Sequence, residues 1–155
     1  MKFLKLASAA FFLVIFSQVC SAQTGPKNKS VPVTLNLQAV KASPAYAEVL
    51  FRRTEVLSEL ESLLVEYTEE FPKVKALRFE GDLLNKELEK LLAVSPAEAS
   101  KLTLALGKLI ARRIEIETDI WSLGKQFNDQ HPDIKRARRR AEIFDAAIKE
   151  IMQGK

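Results

Sequence analysis

The chain carries the same pattern twice, 60 residues apart and without a gap over roughly forty positions. Arg52-Arg53 recurs as Arg112-Arg113, and Glu55-Val56 as Glu115-Ile116. Leu60, Ser62 and Leu63 recur as Ile120, Ser122 and Leu123. The run Tyr67…Phe71-Pro72-Lys73-Val74-Lys75…Arg78 recurs as Phe127…His131-Pro132-Asp133-Ile134-Lys135…Arg138. Leu84, Leu88 and Leu91 then return as Phe144, Ile148 and Ile151. A tandem unit of this length buries its apolar side against its neighbour and presents a long surface. That organisation implies scaffolding or binding rather than catalysis.

Within each unit the apolar spacing is helical. Tyr46, Val49, Arg53, Val56, Leu60, Leu63 and Tyr67 succeed one another in steps of three and four, as do Leu106, Leu109, Arg113, Ile116, Ile120, Leu123 and Phe127. Such a stripe is coiled-coil-like. Ser43-Pro44 places a capping residue before a first-turn proline, and Ser95-Pro96-Ala97-Glu98 has the form of a capping box. Pro72 and Pro132 decide the topology. Proline breaks a helix interior, suits a helix start, and pushes the preceding residue out of helical geometry. Four helices are expected, near 44–69, 72–93, 96–129 and 132–152; a kinked continuous helix at either proline is the alternative. The expected fold is all-α, two tandem helical hairpins spanning 44–93 and 94–155 in an elongated antiparallel coiled-coil-like bundle. Gly107 and Gly124 either weaken the third helix or admit a close neighbour.

Two segments precede the repeats. Lys2 and Lys5, the apolar stretch Leu6 to Val19, and the small residues Cys20-Ser21-Ala22 form the tripartite pattern of a secretory signal peptide, 1–22, with cleavage expected after Ala22. Anchoring through Cys20 is the rival reading, disfavoured by the bulk of Val19. Cleavage removes the single cysteine, so a disulfide or Cys metal site is not expected in the mature chain. It lowers the net charge from +4 to +2 and leaves 133 residues in a periplasmic or secreted protein. Residues 23–43 read as a flexible leader. Val31, Val33, Leu35 and Leu37 alternate with Pro32, Thr34 and Asn36 in a strand-like way, but a lone strand has no partner here.

Charge is uneven. The stretch 44–70 holds seven glutamates against Arg52 and Arg53, whereas the chain from Pro132 onward has a net charge of +3. Opposite signs favour side-by-side helix packing or head-to-tail association of subunits. The basic run Lys135, Arg136, Arg138, Arg139 and Arg140 lies opposite the apolar stripe at 100° per residue and is the candidate partner-binding face. It suits a protein or an anionic envelope polymer or lipid; the alternative is a solvated face salt-bridged to neighbouring helices. Nucleic acid is not expected, since no aromatic residues interleave with the arginines.

Arg53 and Arg113 occupy the stripes themselves. Each either selects register through a facing carboxylate or lays its stem on leucines with its head in water. Trp121 is a candidate interface residue, or covers the bundle edge. His131, near Asp129 and Asp133, invites a metal reading, but the segment offers too few N or S ligands for zinc. No cofactor is expected. Catalysis finds no nucleophile motif, phosphate loop or paired acid and base in a cleft.

The units Tyr67-Thr68-Glu69-Glu70-Phe71-Pro72-Lys73-Val74 and Phe127-Asn128-Asp129-Gln130-His131-Pro132-Asp133-Ile134 resemble a motif of bacterial polysaccharide chain-length determinant and exopolysaccharide-export proteins. That motif is an aromatic residue, a His-Pro pair and a following apolar residue. The resemblance implies periplasmic coiled-coil helices. Phe71 departs from the motif by replacing its histidine, and that family's flanking transmembrane helices have no counterpart here. In general build the chain is also similar to small periplasmic holdase chaperones. The expectation is therefore an exported, non-enzymatic helical scaffold or binding protein that self-associates, with a holdase as the alternative and a metal-dependent or hydrolytic enzyme as a remote third.

Overall fold

The structure is a computed structural model, and it describes residues 33–154, with side chains from Leu37 onward. The export segment 1–22, Cys20 and the first part of the leader lie outside the described residues. Among the described residues there are five α-helices and one 3-10 helix: α1 (Val33–Lys41), α2 (Pro44–Leu64), α3 (Pro72–Leu92), a 3-10 helix (Pro96–Lys101), α4 (Leu104–Gly124) and α5 (Pro132–Gln153). The expected all-α class is what forms. Among the described residues no helix is long and apolar enough to cross a membrane.

Pro72 and Pro132 each open a fresh helix after a seven-residue connection. Both connections are built alike. The amides of Glu66 and Tyr67 donate to the Leu63 carbonyl, and those of Gln126 and Phe127 donate to Leu123. Phe71 bonds back to Thr68, and His131 to Asn128, in extended backbone as the following proline demands. Tyr67 stacks on Phe71 at 4.2 Å, and Phe127 on His131 at 4.0 Å. The residues that carry the His-Pro resemblance are thus those that build the turn. These turns also end α2 and α4 five residues before the sequence spacing suggests, because the aromatic stack needs the chain out of the helix.

The duplication reaches further back than the repeated letters. Ser43 Oγ accepts from the Tyr46 amide at 3.3 Å, and Thr103 Oγ1 accepts from the Leu106 amide at 3.3 Å. The two cap residues are again 60 apart. Satisfying orphan first-turn donors in this way stabilises a helix by about 1 kcal/mol.

Two expectations are corrected by the fold. The strand-like part of the leader is helical from Val33, because a lone strand leaves its ladder groups unpaired and a helix pairs them internally. Val40 on this helix is fully buried, and α1 packs on α2, α3 and the 3-10 helix. The third helix, expected over 96–129, is split. Ser95 Oγ does bond Glu98 at 2.9 Å, but the helix it opens is 3-10 and only six residues long. Leu102 turns into the core and presents its carbonyl to the Ala45 amide at 3.2 Å; Thr103 then caps α4 afresh.

The helices pack as α2 on α3, α4 on α5, and α4 across both α2 and α3. One core runs through them: Val49, Val56 and Leu60 from α2, Val74, Leu77, Leu84, Leu88 and Leu91 from α3, and Leu106, Ile110 and Ile114 from α4. The two repeats therefore share a core within the unit Val31–Lys155 rather than standing as separate domains. Gly107 settles how close α4 comes to α2, since a Cβ there would lie 2.8 Å from Glu48 Cβ and 2.9 Å from the Ala45 backbone. Gly124 has nothing within 4 Å and admits no neighbour. α5 packs mainly on α4, so of its expected stripe only Ile134 and Ala137 are fully enclosed.

Candidate interaction face on the last helix

Ile134, Ala137, Ala141, Phe144 and Ile148 turn α5 toward the bundle, which leaves the opposite arc to solvent. Lys135, Arg136, Arg139 and Arg140 lie on that arc, around Ile143, which is 61% exposed. Arg139 is tied to Glu142 at 2.9 Å, one turn along the same helix, and Arg136 to Asp133. Both side chains stay three-quarters exposed or more, at 79% and 75%. Such pairs are worth a few tenths of a kcal/mol, about what rotamer entropy takes back, so they do not hold the arginines from a better acceptor. Lys135 and Arg140 form no salt bridge among the described residues. Arg136 and Arg140 line an open groove of about 470 Å³ between α4 and α5, together with Asp119, Ser122, Leu123 and Asp133.

Arg138 borders this face. Four residues beyond Ile134 it projects beside the seam and reaches Asp129 in the preceding turn. Arg78 reaches Glu69 in the same way 60 residues earlier. Arg138 thus bridges the α4–α5 turn through a pair that is itself exposed, at 49% and 74%, and like Arg136 and Arg139 it stays available to a partner. The hydrogen bond from Arg78 holds the Glu69 carboxyl below the usual range, against a small opposing effect of burial.

The stripe arginines divide. Arg113 meets carboxylates on two facing helices, Glu87 of α3 at 2.7 Å and Asp145 of α5 at 3.5 Å, as well as Glu117 on its own helix. Its side chain is 13% exposed, so this cluster sets register where α3, α4 and α5 meet. Arg53 has no facing carboxylate among the described residues. Its Nε donates to Asn85 Oδ1, the residue equivalent to Asp145. Arg52 takes the charged role instead. It donates to Glu80 from Nε and Nη2, at 3.0 and 2.6 Å, and lies 3.5 Å from Glu115 on α4. Burial would lower the Arg52 pKa, but the bond to Glu80 and the charges of Glu80, Glu115 and Glu55 outweigh it and raise the value. Glu80 is only 5% exposed. Sequence reasoning missed this cluster because Glu80 is replaced by Arg140 in the second repeat, so no repeated letter marks it.

Trp121 is half-buried at the α3–α4 contact. Its ring stacks on Phe79 at 5.1 Å across the α3–α4 contact, with Lys125 Nζ 4.8 Å from the ring centroid. It covers an edge of the bundle while part of its surface stays open to solvent beside Pro72 and Lys75. His131 Nδ1 accepts from the Asp133 amide at 3.3 Å and caps α5. Among the described residues no three His, Cys, Asp or Glu side chains converge as a metal site.

Compared with family models, curated proteins and solved structures, the chain matches none.

Proposed function

We propose that this chain is an exported, non-enzymatic scaffold of the cell envelope that holds an anionic partner on the solvent face of α5. The observation that carries the reading is the cluster of four cations around an exposed Ile143, on a helix whose opposite side is packed. A basic face with an apolar residue at its centre offers charge for steering and a small desolvated anchor. Elsewhere the charged groups are mostly spent on one another: Arg52, Arg113, Lys73 and Arg78 all meet carboxylates. The export reading rests on Lys2, Lys5 and the apolar run to Val19, and the periplasmic setting agrees with the His-Pro resemblance.

The test is co-sedimentation with vesicles of anionic and of neutral lipid, alongside retention on an anionic polysaccharide resin, at low and at raised salt. The wild type is expected to bind the anionic supports and to be released by salt. The Arg136→Glu, Arg139→Glu, Arg140→Glu variant is expected to lose at least tenfold in retention. Equal retention of wild type and variant would remove the reading. A holdase function is favoured by one separate feature, the adjacent exposed Leu50 and Phe51 on α2, 38% and 63% accessible. Suppression of aggregation of an unfolded client, lost in Phe51→Ser, would mark that activity.

A further inference from the structure

We infer that copies of this chain dock head to tail, with α2 of one copy seated on the α4–α5 pair of the next. The contact would repeat the one that α4 makes with α2 and α3 inside each chain. This rests on the reading of the protein as a binding scaffold, and names a second copy as an occupant of its basic end.

The 60-residue equivalence carries the inference. α4 docks through Gly107, Ile110, Ala111, Ile114 and Thr118, all buried. The same positions of α2 are Ala47, Leu50, Phe51, Thr54 and Ser58, and all five are exposed. A face that is covered in the second repeat is therefore bare in the first, yet it still carries a leucine and a phenylalanine. At the other end, α2 and α3 receive α4 through Arg52, Ala76, Phe79 and Glu80, among others. Their equivalents are Arg112, Arg136, Arg139 and Arg140, all exposed. A tandem repeat thus ends with its donor face open on one side and its acceptor face open on the other, the condition for continued stacking.

The charges agree with this pairing. Arg52 meets Glu115 inside the chain; the same register brings Arg112 to Glu55 of the second copy. The groove lined by Ala76, Glu80, Glu115 and Asp119 translates into Arg136 and Arg140 facing Glu55 and Glu59 of the second copy. The stacked pair Phe79–Trp121 translates into Arg139 opposite Glu61 of the second copy. A net acidic α2 face thus meets a net basic α4–α5 face, with Asp133 of the first copy and Arg52 of the second, the equivalents of Lys73 and Arg112, also at the groove. Among the described residues, half-exposed Glu55 and Glu59 pair only with Arg52 and Lys73, at 3.5 and 3.2 Å, which leaves them free to share. At one point the fit is looser: Ala47 brings a Cβ where Gly107 has none, so the second copy sits further out at that end. A contact between two different faces does not close on itself as a two-fold dimer does; it builds open chains, or rings where the rotation closes.

The test is sedimentation velocity of the processed protein across a wide concentration range, with helix content checked by circular dichroism. The wild type is expected to grow in average mass with concentration, less so at high salt. Phe51→Glu removes the donor face and Arg136→Glu, Arg140→Glu the acceptor face; each alone should stay monomeric. Mixed, each supplies the face the other lacks, and the average mass should rise about twofold to a one-to-one pair. Ala47→Gly should tighten wild-type association by letting the helices close. A monomeric wild type, a mixture that stays monomeric, or a variant that associates like the wild type would each overturn the inference. Anion binding by the monomeric Phe51→Glu variant, whose basic face is intact, reports on the proposed function separately.

Discussion

Arg52 and Glu80 show how one letter changes a repeat. Glu80 is nearly enclosed, whereas Arg52 is 29% exposed at its side chain and keeps Glu55 and Glu115 when Glu80 is lost. Removing the two partners is therefore unequal. Arg52→Ala strands a buried carboxylate and is expected to lower stability by about 2–3 kcal/mol, against about 1 kcal/mol for Glu80→Ala, read from urea midpoints. Equal losses would mean that Glu80 is hydrated in solution. The glycines of α4 give a second contrast. Gly107→Ala pushes a methyl into the Ala45 backbone and should destabilise by about 1–2 kcal/mol despite its better helix propensity. Gly124→Ala meets open space and should stabilise by a few tenths, up to about 0.5 kcal/mol. At this level the sequence is legible where both copies agree. Arg53 and Arg113 are both marked by their place in the stripe, but only Arg113 meets facing carboxylates, because Asp145 stands where the first repeat has Asn85. The Arg52–Glu80 pair is not marked in this way, since its second copy reads Arg112 and Arg140 and carries two like charges.

Among the elements, the helices that open with proline are the most legible, because proline restricts both itself and its predecessor whatever the context. Helix ends are less so, since the stacked pairs Tyr67–Phe71 and Phe127–His131 stop α2 and α4 through contacts across the turn, which spacing along the chain does not encode. α1 is the element that the sequence misrepresents. Val33, Leu37 and Val40 fit a helix while Val33, Leu35 and Leu37 fit a strand, and only the absence of a ladder partner decides between them. Val40 lies wholly inside the core, so Val40→Ala is expected to cost about 2 kcal/mol in urea unfolding. A flexible leader would show no change on that substitution. The basic run is visible from its charge alone, but the pairing of Arg138 with Asp129 depends on the fold of the turn and is not readable from the helical wheel.

For the whole molecule, the duplicated unit does not give two independent hairpins. α4 is the shared piece: it closes on α5 in its own repeat and on α2 and α3 in the other, through Gly107, Ile114 and the Arg113–Glu87 pair. The same packing rule leaves α2 bare at one end and the α4–α5 groove bare at the other, which is why the protein is read as a unit that binds and stacks. Trp121, the single tryptophan, stands at the joint between the repeats, stacked on Phe79. Its fluorescence reports on docking, while far-ultraviolet circular dichroism reports on helix in both repeats. If the two repeats form one folded body, the two signals must track a single urea transition with one midpoint. A tryptophan signal lost at lower urea, with the helical signal still in place, would show the hairpins separating before they unfold and would contradict the shared core.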